Sequence, residues 1–284
     1  MNQTQRKSLA TETLAIIESE RYNLPSGGVV DIRHDLAAAV AGSRWYRPTD
    51  FPDPIPAVSG NTAAAIEVTG ETTLEAARRL AHASAVALNF ASAKNPGGGF
   101  LNGSQAQEES LARSSGLYAC QTANPELYEH NRNGGTCLYS DHMIYSPNVP
   151  VFRGDSGELL DAPYTVAFIT APAVNAGAVK RNEPQNIPLI VPTLRQRIGK
   201  LLWVARENGH RTVILGAWGC GVFRNDPTII ADLFAEALEP GGPCSGWFDH
   251  VVFAIYDSSE NQAIVTPFRR RFKSATNRSS VSMV

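Results

Sequence analysis

The sequence predicts an α/β fold in which helices flank a sheet. From about residue 61 onward, short apolar segments of strand length alternate with longer segments of helical length. Such alternation is typical of α/β domains, in which the strands lie side by side and the helices cover the sheet. The chain of 284 residues, 43% of them hydrophobic, is long enough to bury one sizeable core.

The N-terminal part of the chain is expected to pack on this core as an extension. Residues 4–20 predict a helix, because apolar side chains recur close to one face. A short strand is expected over residues 29–32, and a loop over residues 47–59, which contain four prolines. We therefore divide the chain into an extension, residues 1–60, and a core domain, residues 61–284.

The elements of the core follow from local hydrophobic patterns and their turn residues. The predicted strands cover residues 64–69, 85–90, 165–170, 212–215 and 251–256, with short strands within 143–152. The predicted helices cover residues 72–83, 108–121, 192–208 and 227–238.

Composition and charge exclude several classes of protein. The longest apolar runs, residues 85–90 and 251–256, are far too short to cross a membrane. The first ten residues are polar and lack the apolar core of a signal peptide, which predicts a cytoplasmic protein. A formal net charge of -2 argues against a broad basic surface for binding duplex nucleic acid.

The cysteines show no metal-binding pattern. They lie far apart and form no CxxC pair, so we expect free thiols in a reducing compartment. No set of His, Asp and Cys residues has the spacing of a metal site, and we expect no metal or nucleotide cofactor. The four are Cys120, Cys137, Cys220 and Cys244.

A glycine-rich stretch is the most informative part of the sequence. Gly97, Gly98 and Gly99 lie between a predicted buried strand and a predicted helix. Three consecutive glycines destabilise an ordinary loop through backbone entropy. A phosphate-binding loop would justify them, because bare backbone lets N–H groups approach a pyrophosphate closely. A plain flexible turn is the alternative.

Two adjacent carboxylates follow the glycines. Ser104 and Gln107 have the spacing of a capping box, which would place Glu108 and Glu109 in the first helical turn. Neighbouring helical side chains point about 100° apart, so the two carboxylates cannot share one task. The alternative is that both merely complement the helix dipole.

Taken together, these residues resemble a known signature. Three glycines, seven intervening residues and then Gln107-Glu108-Glu109 closely resemble the signature of poly(ADP-ribose) glycohydrolases. Residues 89–100 are similar to the shorter bacterial type, and the resemblance extends from about residue 67 to residue 268. It implies a macrodomain fold, a three-layer α/β/α sandwich with a mixed central sheet.

The resemblance also implies a substrate and a mechanism. Poly(ADP-ribose) would be cut at a ribose–ribose O-glycosidic bond, whose leaving oxygen needs a proton. Glu109 would donate that proton and then activate water, while Glu108 would bind ribose hydroxyls. A helix N-terminus favours the carboxylate form of Glu109, whereas burial and a nearby anion, such as the substrate's own diphosphate, favour the protonated form. We therefore expect Glu109 to become a competent acid mainly in the substrate complex.

A second phosphate loop is implied by residues 216–223, which follow a predicted strand. Gly219 and Gly221 would let the backbone pass over the diphosphate, and Phe223 would pack near the terminal ribose. The alternative is that Cys220 is simply a buried thiol and Phe223 a core aromatic. The binding residues expected from this loop are Gly219, Cys220, Gly221, Val222 and Phe223.

Further contacts are implied by the same resemblance. Glu71 and Thr72 correspond to the segment near the adenine, although Glu71 could equally complement a helix dipole. Tyr256 corresponds to an aromatic residue that stacks on adenine, unless it is simply a strand-end tyrosine. Asn89 is the better match for an asparagine that binds the distal ribose, whereas Asn95 before a proline is also ordinary turn chemistry.

Other functions stay open at this point. A non-catalytic ADP-ribose-binding module would need both loops but no Glu109, and a mono-ADP-ribosyl hydrolase would use the same pocket. A P-loop NTPase is excluded, because no Gly-Lys-Ser/Thr follows the glycines. The run Arg269-Arg270-Arg271 would either contact the outgoing polymer or form a solvated face. We expect a monomer whose partners are poly(ADP-ribose), ADP-ribosylated protein and the product ADP-ribose, without duplex nucleic acid or a membrane.

Overall fold

The structure is a computed structural model that describes residues 1–56 and 63–276. Its strands are β1 (Arg21–Asn23), β2 (Val29–Asp31), β3 (Arg44–Tyr46), β4 (Ala65–Thr69), β5 (Val86–Phe90), β6 (Met143–Arg153), β7 (Leu159–Ala171), β8 (Thr212–Leu215) and β9 (His250–Ala254). Its α-helices are α1 (Gln3–Ser19), α2 (Arg33–Gly42), α3 (Thr73–Arg79), α4 (Gln107–Ser114), α5 (Leu117–Thr122), α6 (Glu126–Asn133), α7 (Ala176–Asn182), α8 (Ile190–Glu207), α9 (Pro227–Leu238) and α10 (Val265–Thr276). Short 3-10 helices cover Pro48–Asp50, Ala81–Ala83, Phe100–Asn102 and Pro184–Leu189.

The central sheet is mixed and has seven strands in the described part of the chain. Their order is β3-β6-β7-β5-β8-β9-β4, and β1 and β2 form a separate antiparallel pair. The pairs β3·β6 and β6·β7 are antiparallel, whereas β7·β5, β5·β8, β8·β9 and β9·β4 are parallel. The carboxyl ends of the parallel strands therefore meet along one edge of the sheet.

Helices cover both faces of this sheet. On one face α8, α9 and α10 enclose the largest core, which includes Trp218, Phe234 and Phe253. On the other face α2, α3, α4 and α5 cover a smaller core that includes Leu111 and Phe168. The expected α/β/α sandwich with a mixed central sheet is confirmed.

The hairpin β6–β7 is longer and more continuous than predicted. The sequence predicts short strands within residues 143–152. Instead β6 runs through Pro147 and Pro150, and the register shifts between Ser146 and Val149. Asn148, in the left-handed region at φ 45°, provides the irregularity that accommodates Pro147 inside a paired strand.

The single helix predicted over residues 108–121 is wrong. The chain forms α4 and α5 instead, separated by Ser115 and Gly116. Ser115 is extended and bridges Val151, and Gly116 donates its N–H to Pro150 O at 2.9 Å. A Cβ at Gly116 would lie 2.6 Å from Leu36, so this break is fixed by packing against other elements.

The N-terminal helix α1 packs beside the glycine-rich segment. Gln3 Nε2 donates to Asn102 O at 3.0 Å, and Arg6 Nε donates to Gly103 O at 2.7 Å. Farther along the helix, Thr13 Oγ1 donates to Arg113 O, the carbonyl of a residue in α4. Strand β3, also before residue 61, forms an edge of the central sheet. The predicted domain boundary itself lies outside the described residues.

None of the helices in the described ranges is both long and apolar enough to cross a bilayer.

Candidate active site

A large cavity lies along the carboxyl edge of the parallel strands. Its volume is about 1220 Å³, and Phe90, Ala217 and Ala254 mark the strand ends that open into it. In open α/β sheets, ligands bind at this edge. The two glycine loops predicted from the sequence both line this cavity, and so do Glu108 and Glu109.

The first glycine loop folds tightly over the start of α4. Gly98 has φ +59°, a conformation that favours glycine, and its N–H donates to Asn95 O at 3.0 Å. A Cβ at Gly98 would lie 2.5 Å from Glu109 Oε1 and 3.0 Å from Glu108 Oε2. The bare backbone of Gly98 is therefore required by the two carboxylates themselves.

Glu109 has one oxygen bound and one oxygen without a partner. Its Oε1 accepts a hydrogen bond from Gly99 N at 3.0 Å. Its Oε2 is buried and has no hydrogen-bond partner among the described residues. Buried polar atoms are nearly always paired, so an orphaned carboxylate oxygen on a residue that lines a ligand-sized cavity indicates a functional contact. This oxygen is free to bind a substrate atom or to carry a proton.

Glu108 differs from its neighbour because protein donors hold both of its oxygens. Its Oε1 accepts from Asn89 Nδ2 at 3.2 Å and from Gln121 Nε2 at 2.8 Å, and its Oε2 accepts from Ser92 N at 2.6 Å. Burial raises the pKa of Glu108 to about 8 because desolvation disfavours the charged form, and the three hydrogen bonds oppose this rise. The carboxyl of Glu108 is fixed in one orientation, with little freedom to act elsewhere.

The second glycine loop faces the first across the cavity. Gly219 has φ +72°, and a Cβ there would lie 2.5 Å from Asn225 Nδ2 and 2.6 Å from Ala173. A Cβ at Gly221 would meet no atom within 4 Å, so open space surrounds that position. Phe223 packs 5.9 Å from the ring of Tyr139, centroid to centroid. This loop offers exposed backbone and one aromatic ring at the cavity rim.

Comparisons with known proteins agree with this geometry. Residues 10–154, half of the chain, match the family described as microbial-type PARG, catalytic domain. The crystal structure of poly(ADP-ribose) glycohydrolase (PARG) from Thermomonospora curvata is 50% identical, covers 95% of this chain and 100% of its own, and superposes with a TM-score of 0.90. The chain belongs to the microbial-type PARG family.

Two ligand complexes within this family are also similar to the chain. The T. curvata enzyme bound to the inhibitor ADP-HPD is 50% identical over 95% of this chain and 100% of its own, with a TM-score of 0.88. The PARG from Deinococcus radiodurans in complex with ADP-ribose is 48% identical over 84% of this chain and 97% of its own, with a TM-score of 0.79. A comparison with curated proteins found no match.

Most of the binding residues expected from the PARG signature do line the cavity. One group comes from the first loop and α4, and another from the second loop and the strand ends. The predicted residues that line the cavity are Gly98, Gly99, Asn95, Gln107, Glu108, Glu109, Thr72, Gly219, Cys220, Gly221, Val222, Phe223 and Tyr256. Tyr256, just beyond β9, is 69% exposed and therefore free to stack on a planar ligand group.

Gln107 does not take part in a capping box, contrary to the prediction. The residue before α4 is Ala106, not Ser104, and no side chain caps the helix. Gln107 Oε1 accepts from Phe90 N at 2.9 Å, and its Nε2 donates to Leu88 O at 2.7 Å. The side chain is used to join α4 to the end of β5, which positions the helix relative to the sheet.

Three predicted residues do not line the cavity. Gly97 faces Phe100, whose ring atom would lie 2.7 Å from a Cβ there, so this glycine serves packing. Asn89 is buried behind Glu108. Glu71 lies before the first turn of α3 and forms a salt bridge of 2.8 Å with Arg79, which lowers its pKa.

The arginine run near the C-terminus and the four cysteines were also considered from the sequence. Arg271 forms ion pairs with Asp232 and Glu239, and Arg269 donates to Gln262, so these two arginines have protein partners. The four cysteines are free thiols, as predicted. No group of three or more His, Cys, Asp or Glu side chains within residues 1–56 and 63–276 could hold a metal ion.

Sequence reasoning missed the donors that hold Glu108. Gln121 and Ser92 lie outside the glycine signature, on α5 and in the loop after β5. Thr72 was predicted near the adenine, but its hydroxyl also donates to Asp155 at 2.6 Å, a residue of the β6–β7 turn that lines the cavity. The sequence pattern carried no signal for these contacts, because they join segments brought together only by the tertiary fold.

Proposed function

We propose that this chain is a poly(ADP-ribose) glycohydrolase that hydrolyses the O-glycosidic bond between two ribose rings and releases ADP-ribose. The observation that carries the proposal is the state of Glu109. One of its oxygens is held by Gly99 N, and the other is buried without a partner beside two glycine loops. Similarity to PARG structures, one with ADP-ribose bound, supports the same substrate class.

Glu109 is the residue that we assign to proton transfer. Cleavage passes through an oxocarbenium-like centre and requires a proton on the leaving oxygen. The free Oε2 of Glu109 can deliver this proton and can then take one from the water that attacks the sugar. The Gly99 N–H fixes the other oxygen, so the carboxyl keeps its direction through both steps.

Glu108 is assigned to orientation of the sugar. Its carboxyl is held by Asn89, Gln121 and Ser92 and lies against Gly98, directly beside the acid. Retaining and inverting glycosidases place two carboxyl groups on opposite sides of the bond that is cut. Here both carboxyl groups come from one helical turn, so we propose one acid–base residue and one sugar-binding residue.

The two glycine loops are proposed to hold the diphosphate. Gly99 and Gly221 expose backbone on the cavity wall, and Gly221 has open space where a side chain would be. Phe223 would pack near the terminal ribose and Tyr256 on the adenine. The cytoplasmic location, the monomeric state and the division at residue 61 stay predictions of the sequence.

A turnover assay in the presence of a chelator tests this function. The purified chain is incubated with defined poly(ADP-ribose) and, separately, with a mono-ADP-ribosylated protein, with excess EDTA in both reactions. We expect release of ADP-ribose from the polymer in EDTA. Cleavage of the mono-ADP-ribosylated protein alone would favour the mono-ADP-ribosyl hydrolase, and binding of ADP-ribose without any turnover would favour a binding module.

A further inference from the structure

Four exposed cations lie near the two glycine loops, outside the residues that line the cavity. Lys94 directly precedes Asn95 of the first loop, and Arg224 directly follows Phe223 of the second. Arg132, at the end of α6, donates from Nη1 to Lys94 O at 2.6 Å. With Arg181 of α7, these residues form what we call the cationic rim: Lys94, Arg132, Arg181 and Arg224.

Two contacts link Arg224 and Arg181 through α7. A Cβ at Gly177 would lie 3.1 Å from Arg224 Cδ, so the Arg224 side chain packs over the first turn of that helix. Residues four apart lie on the same face of a helix, which places Arg181 one turn from Gly177. Gly177 N also donates to Phe223 O at 2.9 Å, which fixes α7 to the second glycine loop.

Cys137 links Arg181 to the first loop. Burial raises the pKa of the Cys137 thiol, whereas the charges of Lys94 and Arg181 both act to lower it. Both cations therefore lie within electrostatic range of the same side chain. Glu183 is also close and acts to raise the pKa of the thiol; its carboxylate accepts hydrogen bonds from Thr136, from Asn186 and from Cys137 N, neutral donors that leave its negative charge in place beside the four cations.

The cations of the rim have no acidic partners within the part of the chain that the structure describes. Several arginines elsewhere, such as Arg79, Arg195, Arg211 and Arg271, are paired with carboxylates, whereas the unpaired Arg21 and Arg44 lie on separate strands, β1 and β3. In a protein with a formal net charge of -2, four neighbouring unpaired cations beside the cavity stand out as an anion-binding surface. The run at residues 269–271 is less suited to this role, because Arg271 is already neutralised.

We propose that the cationic rim binds the diphosphate of the polymer unit beyond the cleaved bond, on the leaving-group side. This inference rests on the proposed function. The bound unit occupies the cavity with its terminal ribose at Glu109 and Phe223, and the chain continues past that ribose. Each further unit brings a diphosphate, and two cations of the rim, Lys94 and Arg224, are the chain neighbours of Asn95 and Phe223, which line the cavity. Phosphate contacts of this kind position a polyanion and make its binding dependent on salt.

The test compares two substrates that differ only beyond the cleaved bond. One is poly(ADP-ribose), and the other is ADP-ribose whose terminal ribose carries a nitrophenyl group in place of the next unit. The variant is the triple change Lys94→Gln, Arg181→Gln and Arg224→Gln. Arg132 is kept because it supports the loop through Lys94 O.

We expect the triple variant to raise KM for the polymer by about tenfold, because each exposed ion pair changes an equilibrium by up to about fivefold. The slope of log(kcat/KM) against log salt should fall by roughly one for each lost phosphate contact. Both kcat and the KM for the nitrophenyl substrate should stay at wild-type values.

A second triple variant is the matched control. It carries Arg21→Gln, Arg44→Gln and Lys273→Gln, three exposed cations on β1, β3 and α10. It removes the same net charge, and both triples are checked by thermal melting. Equal effects of the two triples on polymer KM and salt slope would overturn the inference, as would an equal rise in KM for the nitrophenyl substrate. If the wild type cuts no polymer, the proposed function itself fails, and the inference fails with it.

Discussion

Gln121 Nε2 donates a hydrogen bond of 2.8 Å to Glu108 Oε1 from a different helix. Gln121 is completely buried and lies behind Glu108, outside the residues that line the cavity. Asn89 donates to the same oxygen at 3.2 Å, from the end of β5. The orientation of Glu108 therefore depends on the break between α4 and α5, which turns Gln121 back toward the active site.

Above about pH 8, where Glu108 is ionised, replacing Gln121 with methionine should lower kcat/KM about 10- to 100-fold. A hydrogen bond to a charged group contributes about 1.5–3 kcal/mol, and methionine preserves the volume without the donor. Because this hydrogen bond opposes the raised pKa of Glu108, its loss should also shift the pH–rate profile to higher pH. Gln185→Met, at an exposed position in Pro184–Leu189, is the control. An unchanged rate and profile would show that Gln121 does not position Glu108.

Glu109→Gln should nearly abolish turnover while ADP-ribose still binds. The amide keeps the shape of the side chain but cannot deliver a proton, and general acid–base assistance contributes roughly 100- to 10,000-fold. Turnover and calorimetric affinity are measured on the same preparation. Glu126→Gln changes an exposed first-turn carboxylate of α6 and should leave both unchanged. Near-normal turnover of Glu109→Gln would exclude Glu109 as the acid.

Gly98→Val should reduce ADP-ribose affinity and turnover more than Gly209→Val does. Both glycines have a positive φ, but only Gly209 has free space around it. A Cβ at Gly98 would collide with Glu109 Oε1 at 2.5 Å, in addition to the strain of a positive φ. Gly209→Val is the control for backbone strain, because Gly209 has φ +79° and a Cβ there would meet no atom within 4 Å. Thermal melting of Gly98→Val and Gly209→Val, with calorimetry on each, separates the two effects. Equal melting losses with intact ADP-ribose affinity in Gly98→Val would indicate a plain turn.

The strands and the glycine loops could be predicted from the sequence, whereas the side-chain contacts that hold the site residues in place could not. The strands that bear the site gave strong signals, because β5, β8 and β9 are continuous apolar runs bounded by turn residues. The resemblance to the PARG signature singled out Glu108 and Glu109, which follow the glycines at a fixed spacing. The same signature could not show that Glu71 pairs with Arg79, since that pairing depends on how α3 packs.

Where local pattern and tertiary packing disagreed, packing decided the structure. The Ser104–Gln107 spacing satisfied the capping box, but Gln107 forms its hydrogen bonds with Leu88 and Phe90 instead. The helical pattern continued through Gly116, but the backbone there pairs with Pro150. Both differences come from contacts between α4 and the sheet, which a single sequence does not reveal.

Gly221→Val should lower ADP-ribose affinity without lowering thermal stability. A Cβ at Gly221 would meet no atom within 4 Å, so the fold can accept the larger side chain. A bound diphosphate that approaches the backbone at Gly221 would be blocked by it. Gly219→Val is the contrasting variant, because its Cβ would collide with Asn225 and Ala173 and should reduce stability itself. Wild-type affinity in Gly221→Val would show that the diphosphate does not approach this residue.

Glu108 should make the protein less stable as the pH rises, in a window set by its raised pKa. The pKa is about 8 in the folded protein because of burial, against a model-peptide value of 4.5. Below about pH 4.5 the group is protonated in both states, so its contribution to stability is fully present. Between these values the unfolded chain releases the proton first, and the contribution is lost as the pH rises through about 8.

The comparison of wild type with Glu108→Gln isolates this effect, because glutamine does not titrate and the other groups are common to both proteins. The free energy of unfolding is measured in urea from pH 5 to pH 9 for both proteins. Over this range, wild type should lose more of it than Glu108→Gln does, by an amount on the order of several kcal/mol. The amide NH₂ would face either Ser92 N or Gln121 Nε2, depending on its orientation, a cost that is independent of pH and does not affect the slope. Parallel curves for the two proteins would mean that Glu108 is already ionised in the folded state at pH 5. The three donors would then outweigh burial, and a charged Glu108 would accept hydrogen bonds from the ribose hydroxyls.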